Sequence, residues 1–142
     1  MNRKNIDKSV VIAKSLFPES YQKKTKHQPF HFAFLWKKNR LISIGQNIVD
    51  KPSAKALYFA KRFGSEKQKK YPYMHAEINA IQRAWGKVHI DSSMSLVSLR
   101  LSVNGNLQMA KPCRDCQSVL SALNIENVWW STSMGKIATL GD

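Results

Sequence analysis

The sequence is short of cysteine, of acidic residues and of long hydrophobic runs. Only 2 of its 142 residues are cysteines, which excludes a disulfide scaffold, since such scaffolds spread more cysteines along the chain. No run of about 18 apolar residues occurs, so no membrane span is expected. The apolar stretch VVIA is brief and is followed by Lys14, which makes a poor secretory signal. We therefore expect a cytoplasmic protein.

The scarcity of acidic residues makes the chain strongly basic. It has 23 Lys and Arg against 9 Asp and Glu, a net charge of +14. Residues 1–72 have 17 basic and 4 acidic residues, a net of +13, whereas residues 73–142 have 6 and 5, a net of +1. Such a field favours anionic partners: nucleotides, nucleic acid or an anionic membrane. A solvated surface that gives only solubility explains the charge equally well, so the charge predicts no reaction.

The length and the 43% hydrophobic content suit one compact domain over residues 1–142. Pro18 is expected to end the first helix, and the first two strands are expected to form a hairpin around Lys37-Lys38-Asn39. Helices are predicted at residues 7–17, 54–63, 75–86 and 112–123. Strands are predicted at residues 31–36, 40–48, 95–103, 125–132 and 137–140.

This order of elements predicts an α/β fold in which helices cover a central mixed sheet of about five strands. The end of the chain adds one detail to the topology. Only about ten residues follow VWWST, too few for a helix and a parallel strand, since such a crossover needs a dozen or more. We therefore expect the last two strands to be antiparallel.

Two short motifs contain residues that bind metals. His75 and Glu77 lie in MHAEINAI at the start of a predicted helix, and Cys113 and Cys116 lie in KPCRDC on one face of another first turn. Zinc prefers histidine nitrogen and cysteine sulfur, and a catalytic zinc site leaves its fourth position open to water. If the strand at 95–103 joins the two helices, their N-termini can lie side by side. The sequence then predicts His75, Cys113 and Cys116 as zinc ligands.

Glu77 would lie close to that metal without being needed as a ligand. A carboxylate there can take a proton from activated water and carry it to a ring nitrogen and a leaving amine, which is hydrolytic deamination. The rival interpretation is a purely structural zinc site, whose fourth ligand would be His27, His31 or His89, none of them at a motif spacing. Taken alone, His75 is more often a surface residue, and Glu77 an acid favoured by the helix dipole. His31 could face the site or solvent.

The two motifs together form the pattern H-x-E…P-C-x-x-C, the signature of zinc nucleobase deaminases. The residues that match it are His75-Ala76-Glu77 and Pro112-Cys113-Arg114-Asp115-Cys116. The sequence thus resembles the cytidine deaminase-like superfamily over roughly residues 30–140. The resemblance implies a three-layer α-β-α fold with Zn²⁺ as its cofactor. It also implies a homo-oligomer.

The resemblance implies substrate contacts as well. In Gly45-Gln46-Asn47, at the end of the second strand, Asn47 corresponds to a residue that often holds the sugar or base. The backbone of Ala76 is expected to meet the base. The basic stretch before His75 ends in YPYM, and Tyr73 could stack a base or pack on the core. The basic residues of that stretch could contact phosphates or form a solvated surface; they are Lys51, Lys55, Lys61, Arg62, Lys67, Lys69 and Lys70.

The expected reaction is the zinc-dependent hydrolysis of a cytosine-type base, in cytidine, deoxycytidine or a nucleotide, to the uracil form with release of ammonia. The Asn104-Gly105 turn between strand and helix and the hairpin at the end of the chain resemble the free-nucleoside branch. That branch usually has Cys in place of His75. Two alternatives stay open: editing of single-stranded nucleic acid, and non-catalytic binding of nucleic acid on a deaminase scaffold.

Overall fold

Helices and strands alternate along the chain in a computed structural model that describes residues 3–23, 30–47, 58, 61–62 and 75–139. The helices are α1 (Arg3–Lys23), α2 (Ala76–Ala84) and α3 (Arg114–Ala122). The strands are β1 (Phe30–Lys37), β2 (Arg40–Gln46), β3 (Met94–Leu101), β4 (Leu107–Gln108), β5 (Asn127–Ser131) and β6 (Ile137–Thr139). None of the helices within these residues is long and apolar enough to cross a membrane.

The strands form one mixed sheet in the order β2-β1-β3-β5-β6, and β4 pairs with β3 outside this path. Strand β1 is antiparallel to both β2 and β3, and Phe34 lies between Ile44 and Val97. Strands β3 and β5 are parallel, whereas β5 and β6 are antiparallel. The predicted α/β fold, its mixed sheet and the antiparallel last pair are therefore confirmed.

The alternation of side chains along β1 separates two hydrophobic clusters. Phe30, Phe32, Phe34 and Trp36 pack on the face that α1 covers. Ala33 and Leu35 pack on the other face, with residues of α2 and α3. The sheet thus lies between helices on both sides, which is the three-layer arrangement that the family resemblance implied.

Several predicted boundaries were wrong, two of them at prolines. Helix α1 begins at Arg3 and continues through Pro18 to Lys23, because a proline removes only one backbone donor and the neighbouring helix bonds can remain. Helix α3 does not start at Pro112, since its N-cap is Cys113. Of the helix predicted at 54–63, Tyr58, Lys61 and Arg62 are helical, and the other residues lie outside the described part.

Candidate metal centre

The structure brings together the three side chains that the sequence predicted as zinc ligands. The ligand atoms of His75, Cys113 and Cys116 all lie within 4.8 Å of one another. His75 Nδ1 is 3.6 Å from Cys113 Sγ and 3.3 Å from Cys116 Sγ. A tetrahedral zinc with bonds of about 2.0 Å to nitrogen and about 2.3 Å to sulfur would separate these atoms by about 3.5 Å. The cluster therefore has the size and the chemistry of a zinc site.

The cluster forms where two helices begin. His75 is the N-cap of α2 and Cys113 the N-cap of α3, both with extended backbone. In the first turn of α3, the backbone N–H of Cys116 donates to Cys113 Sγ at 3.4 Å. Both helix N-termini carry partial positive charge, which favours a thiolate at this point.

Two polar contacts hold α2 against the edge strand of the sheet. Ser43 Oγ donates to the carbonyl of Ala80 at 2.6 Å. The backbone N–H of Gln46 donates to Asn79 Oδ1 at 3.0 Å. Because both contacts join α2 to β2, the strand sets the position of the helix that begins with the motif.

The three side chains of the cluster share protons, and the negative charge lies on the thiolate of Cys113. A hydrogen bond from the Cys116 thiol, supported by one from His75, lowers the pKa of Cys113 to about 4. The same bond, together with burial and the Glu77 charge, raises the pKa of Cys116 well above its ordinary value. The hydrogen bond to Cys113 also raises the pKa of His75. A divalent cation would take the place of these shared protons, so the site is suited to a positive ion.

Glu77 lies in the first turn of α2 and is only 1% exposed. Its carboxylate contributes a hydrogen bond and a charge that both raise the pKa of Cys116, which places it at the edge of the cluster. Oε1 lies 3.3 Å from Nε2 of His31, a residue that is 9% exposed. Burial of a carboxylate is costly unless partners compensate, and Oε1 has no hydrogen-bond partner among the described residues.

The structure also locates the other predicted site residues. Asn47 follows β2, is buried, and accepts a hydrogen bond through Oδ1 from the backbone N–H of His31 at 3.4 Å. Ala76 is fully buried between His75 and Glu77 in the chain. Tyr73 lies outside the described residues. Asn47 and Glu77 therefore both contact His31, near the start of β1.

Of the basic residues that the sequence singled out, Lys61 and Arg62 are described and both are exposed. The Arg62 guanidinium lies 5.6 Å from the centroid of the Trp85 ring, one residue after α2. The remaining five lie outside the described residues. Among the histidines proposed as a fourth structural ligand, His89 is exposed and His27 lies outside the described part, whereas His31 contacts Glu77.

His31 is the site residue that the sequence did not assign. The alternation of β1 places it on the face of Ala33 and Leu35, which is the face toward α2 and α3. That alternation was the available signal, because a histidine at a core-facing position needs polar partners.

The model of the cytidine and deoxycytidylate deaminase zinc-binding region matches residues 4–132 of the chain. This agrees with the observed fold and with Zn²⁺ as the predicted cofactor. No curated protein matches the chain.

Proposed function

Since the chain belongs to the cytidine and deoxycytidylate deaminase family, whose members are zinc-dependent hydrolases, we propose that it deaminates a cytosine-type base in a nucleoside or nucleotide. The product is the uracil form, with release of ammonia. The observation that carries this proposal is the buried Glu77 carboxylate beside the cluster of His75, Cys113 and Cys116. A binding module has no use for a buried acid at that place, because its burial costs free energy.

The residues divide the work of the reaction. His75, Cys113 and Cys116 hold zinc, which when bound supplies a Lewis acid that activates water at neutral pH. Glu77 takes one proton from the attacking water and delivers it to the ring nitrogen next to the reacting carbon. It then transfers the second proton to the leaving amine. The oxygen of the water stays on the ring carbon, whose bond to nitrogen breaks, so one water is consumed and one ammonia released.

The substrate contacts are proposed from the family resemblance and from position. Asn47 follows β2 and contacts the backbone of His31, and we propose that it holds the sugar or base. The backbone of Ala76, which lies between His75 and Glu77 in the chain, is proposed to meet the base. Tyr73 is proposed to stack on it. The enzyme is further proposed to act in the cytoplasm as a homo-oligomer.

Deamination of single-stranded nucleic acid is the second candidate. The net charge of +13 over residues 1–72 and the exposed Lys61 and Arg62 support it, because such residues can contact phosphates. The alternative without enzymatic activity is a protein that binds nucleic acid and does not catalyse a reaction. Binding that weakens steeply with salt, without ammonia release, would favour that alternative.

Ammonia release from the purified, zinc-loaded protein tests the proposal. The substrates are cytidine, deoxycytidine, dCMP, adenosine, guanine and a single-stranded oligonucleotide. Glu77→Gln should lower the rate by about 10²- to 10⁴-fold while zinc stays bound, since it removes the acid–base group alone. Glu126→Gln, which changes an exposed glutamate, should behave as wild type. No ammonia from any substrate would refute the proposal, and activity on the oligonucleotide alone would favour the second candidate.

A further inference from the structure

A chain of polar contacts connects Glu77 to the segment that carries the cysteine motif. His31 Nε2 lies 3.3 Å from Glu77 Oε1 and 2.6 Å from Ser98 Oγ. Ser98 Oγ in turn donates to the carbonyl of Ala110 at 2.9 Å. Ser98 is fully buried, as is Glu77 apart from 1% of its surface. The contacts therefore lie within the protein interior, where a polar side chain without a partner is costly.

These contacts determine which ring nitrogen of His31 carries a proton. A carbonyl oxygen can only accept, so the single hydroxyl proton of Ser98 points to Ala110. The oxygen of Ser98 must then accept in its contact with His31, and Nε2 must be the donor. Glu77 Oε1 lies 3.3 Å from the same nitrogen but outside hydrogen-bond geometry, and this buried oxygen has no hydrogen-bond partner among the described residues.

The same contacts reach the segment between β4 and α3. Ala110 lies three residues before Cys113, and its backbone N–H donates to the carbonyl of Ser131 at 2.9 Å. Ala110 is thus attached to β3 through Ser98 and to β5 through Ser131. The position of the His31 ring is thereby tied to the sheet and to the segment that leads to the ligands.

On this basis we propose that His31 is a positioning residue for Glu77: its ring, held by the hydrogen bond to Ser98, lies against Oε1 and keeps the carboxylate in place for proton transfer. The inference rests on the proposed deaminase function and adds a residue to it. His31 does not contact the reacting atoms itself. A carboxylate that must accept and return protons in one geometry gains from a fixed partner, since orientation is a large part of catalysis.

A nuclear magnetic resonance measurement tests the contact without any substrate. In the zinc-loaded protein, the ¹⁵N spectrum of the His31 ring should show a proton on Nε2. Glu77→Gln should shift that signal, whereas Glu126→Gln should leave it unchanged. A deprotonated Nε2, or a signal that ignores the Glu77 change, would overturn the proposal whether or not the protein proves to be a deaminase.

Kinetics test the consequence. His31→Leu removes the ring that Ser98 orients against Glu77 and should lower kcat by about 10- to 100-fold with little change in KM, the size of effect usual for partners that orient a metal-site residue. His31→Gln places an amide N–H near the position of Nε2 and should recover much of kcat. Zinc content should stay at the wild-type level in both variants. An unchanged kcat, or a raised KM at unchanged kcat, would contradict a positioning role.

A buried serine on the other face of the sheet provides a matched control. Ser9 is also fully buried, donates to the carbonyl of Asn5 at 2.8 Å and accepts from Trp36 Nε1 at 2.9 Å. Ser98→Ala and Ser9→Ala should both lower Tm, but only Ser98→Ala should lower kcat. Equal kcat in the two variants would refute the inference, even if His31→Leu failed to fold. If the wild type releases no ammonia, the proposed function fails, and the spectrum of His31 alone decides whether the contact exists.

Discussion

Gly45 of β2 and Ala76 of α2 meet backbone to backbone. A Cβ atom on Gly45 would lie 2.1 Å from the carbonyl oxygen of Ala76 and 2.3 Å from the backbone nitrogen of Ala80. Neither atom can move without moving the helix, because both belong to its backbone. The strand and the start of α2 therefore approach as closely as they do only because this residue has no side chain. The position of His75 and Glu77 depends on that approach.

Gly45→Ala should displace α2 from the edge strand. We expect a loss of about 1–3 kcal/mol in the free energy of unfolding, from overpacking against backbone, and a lower affinity for zinc. Gly105→Ala is a control with a similar loss of stability. Gly105 has φ of 80° in the turn between β3 and β4, and its substitution costs about 1–2 kcal/mol in the free energy of unfolding. Urea unfolding and zinc titration measure both effects. If the two variants bind zinc equally well, the helix position does not depend on Gly45.

Removal of zinc should lower Tm in the wild type. A ligand that binds only the folded state stabilises it by about 2.7 kcal/mol at one hundred times its dissociation constant. His75→Ala, Cys113→Ala and Cys116→Ala should each abolish this response to a chelator. His89→Ala, which changes an exposed histidine, should keep it. A full zinc response in any of the three ligand variants would remove that residue from the proposed set.

The motif was accessible to sequence analysis because it is local. The three-residue spacing of the two cysteines and the place of His75 at the start of a helix follow from helix geometry, and the alternation of β1 follows from the pleat. The N-cap position of Cys113 was missed because Pro112 was taken as the start of the helix. Helix α1 was placed too short because Pro18 was taken as its end, whereas the helix accommodates it.

His31 could not be assigned in the same way. Its partner Ser98 is 67 residues away along the chain, and only the antiparallel pairing of β1 with β3 brings the two side chains within 2.6 Å. The contact with Glu77 also requires α2 to pack on that face of the sheet. Such a relationship depends on strand order and register, which no short pattern contains.

Cys113 should be an unusually reactive thiol in the metal-free protein. Its pKa of about 4 means that the thiolate is already present above that pH, whereas an ordinary thiol needs a pH near 8.5. Since Cys113 is exposed, iodoacetamide should modify it at pH 5–6 at a rate that changes little up to pH 8. Mass spectrometry of the modified peptide measures this rate.

Two controls separate the low pKa from simple exposure. Cys116 is buried and its pKa is raised, so it should stay unmodified over the same range. Cys116→Ala removes the hydrogen bond that contributes most to the low pKa, so modification of Cys113 should then require a higher pH. Zinc should protect Cys113 in the wild type. A rate that rises steadily from pH 5 to pH 8 in the wild type would show that Cys113 has an ordinary pKa.

The salt dependence of oligonucleotide binding tests whether the basic residues of the N-terminal half, residues 1–72, contact phosphates. If Lys61 and Arg62 contact phosphates, replacing both with alanine should reduce the slope of log K against log salt concentration by about 1.4, or about 0.7 for each phosphate contact with a single strand. Fluorescence anisotropy with a labelled single-stranded oligonucleotide measures the slope. The effect should be similar for different sequences, because phosphate contacts do not read bases.

Lys8 and Lys14 give the matched pair for this measurement. Both are exposed on α1, which covers the face of the sheet opposite α2, so their replacement changes the net charge equally at another surface. If the salt-dependence slope falls only for the Lys61 and Arg62 variant, the bound oligonucleotide lies beside Trp85. That result would favour a polynucleotide substrate. Equal changes for the two pairs would mean that the basic half attracts anions through its overall field, which fits a nucleoside or nucleotide substrate.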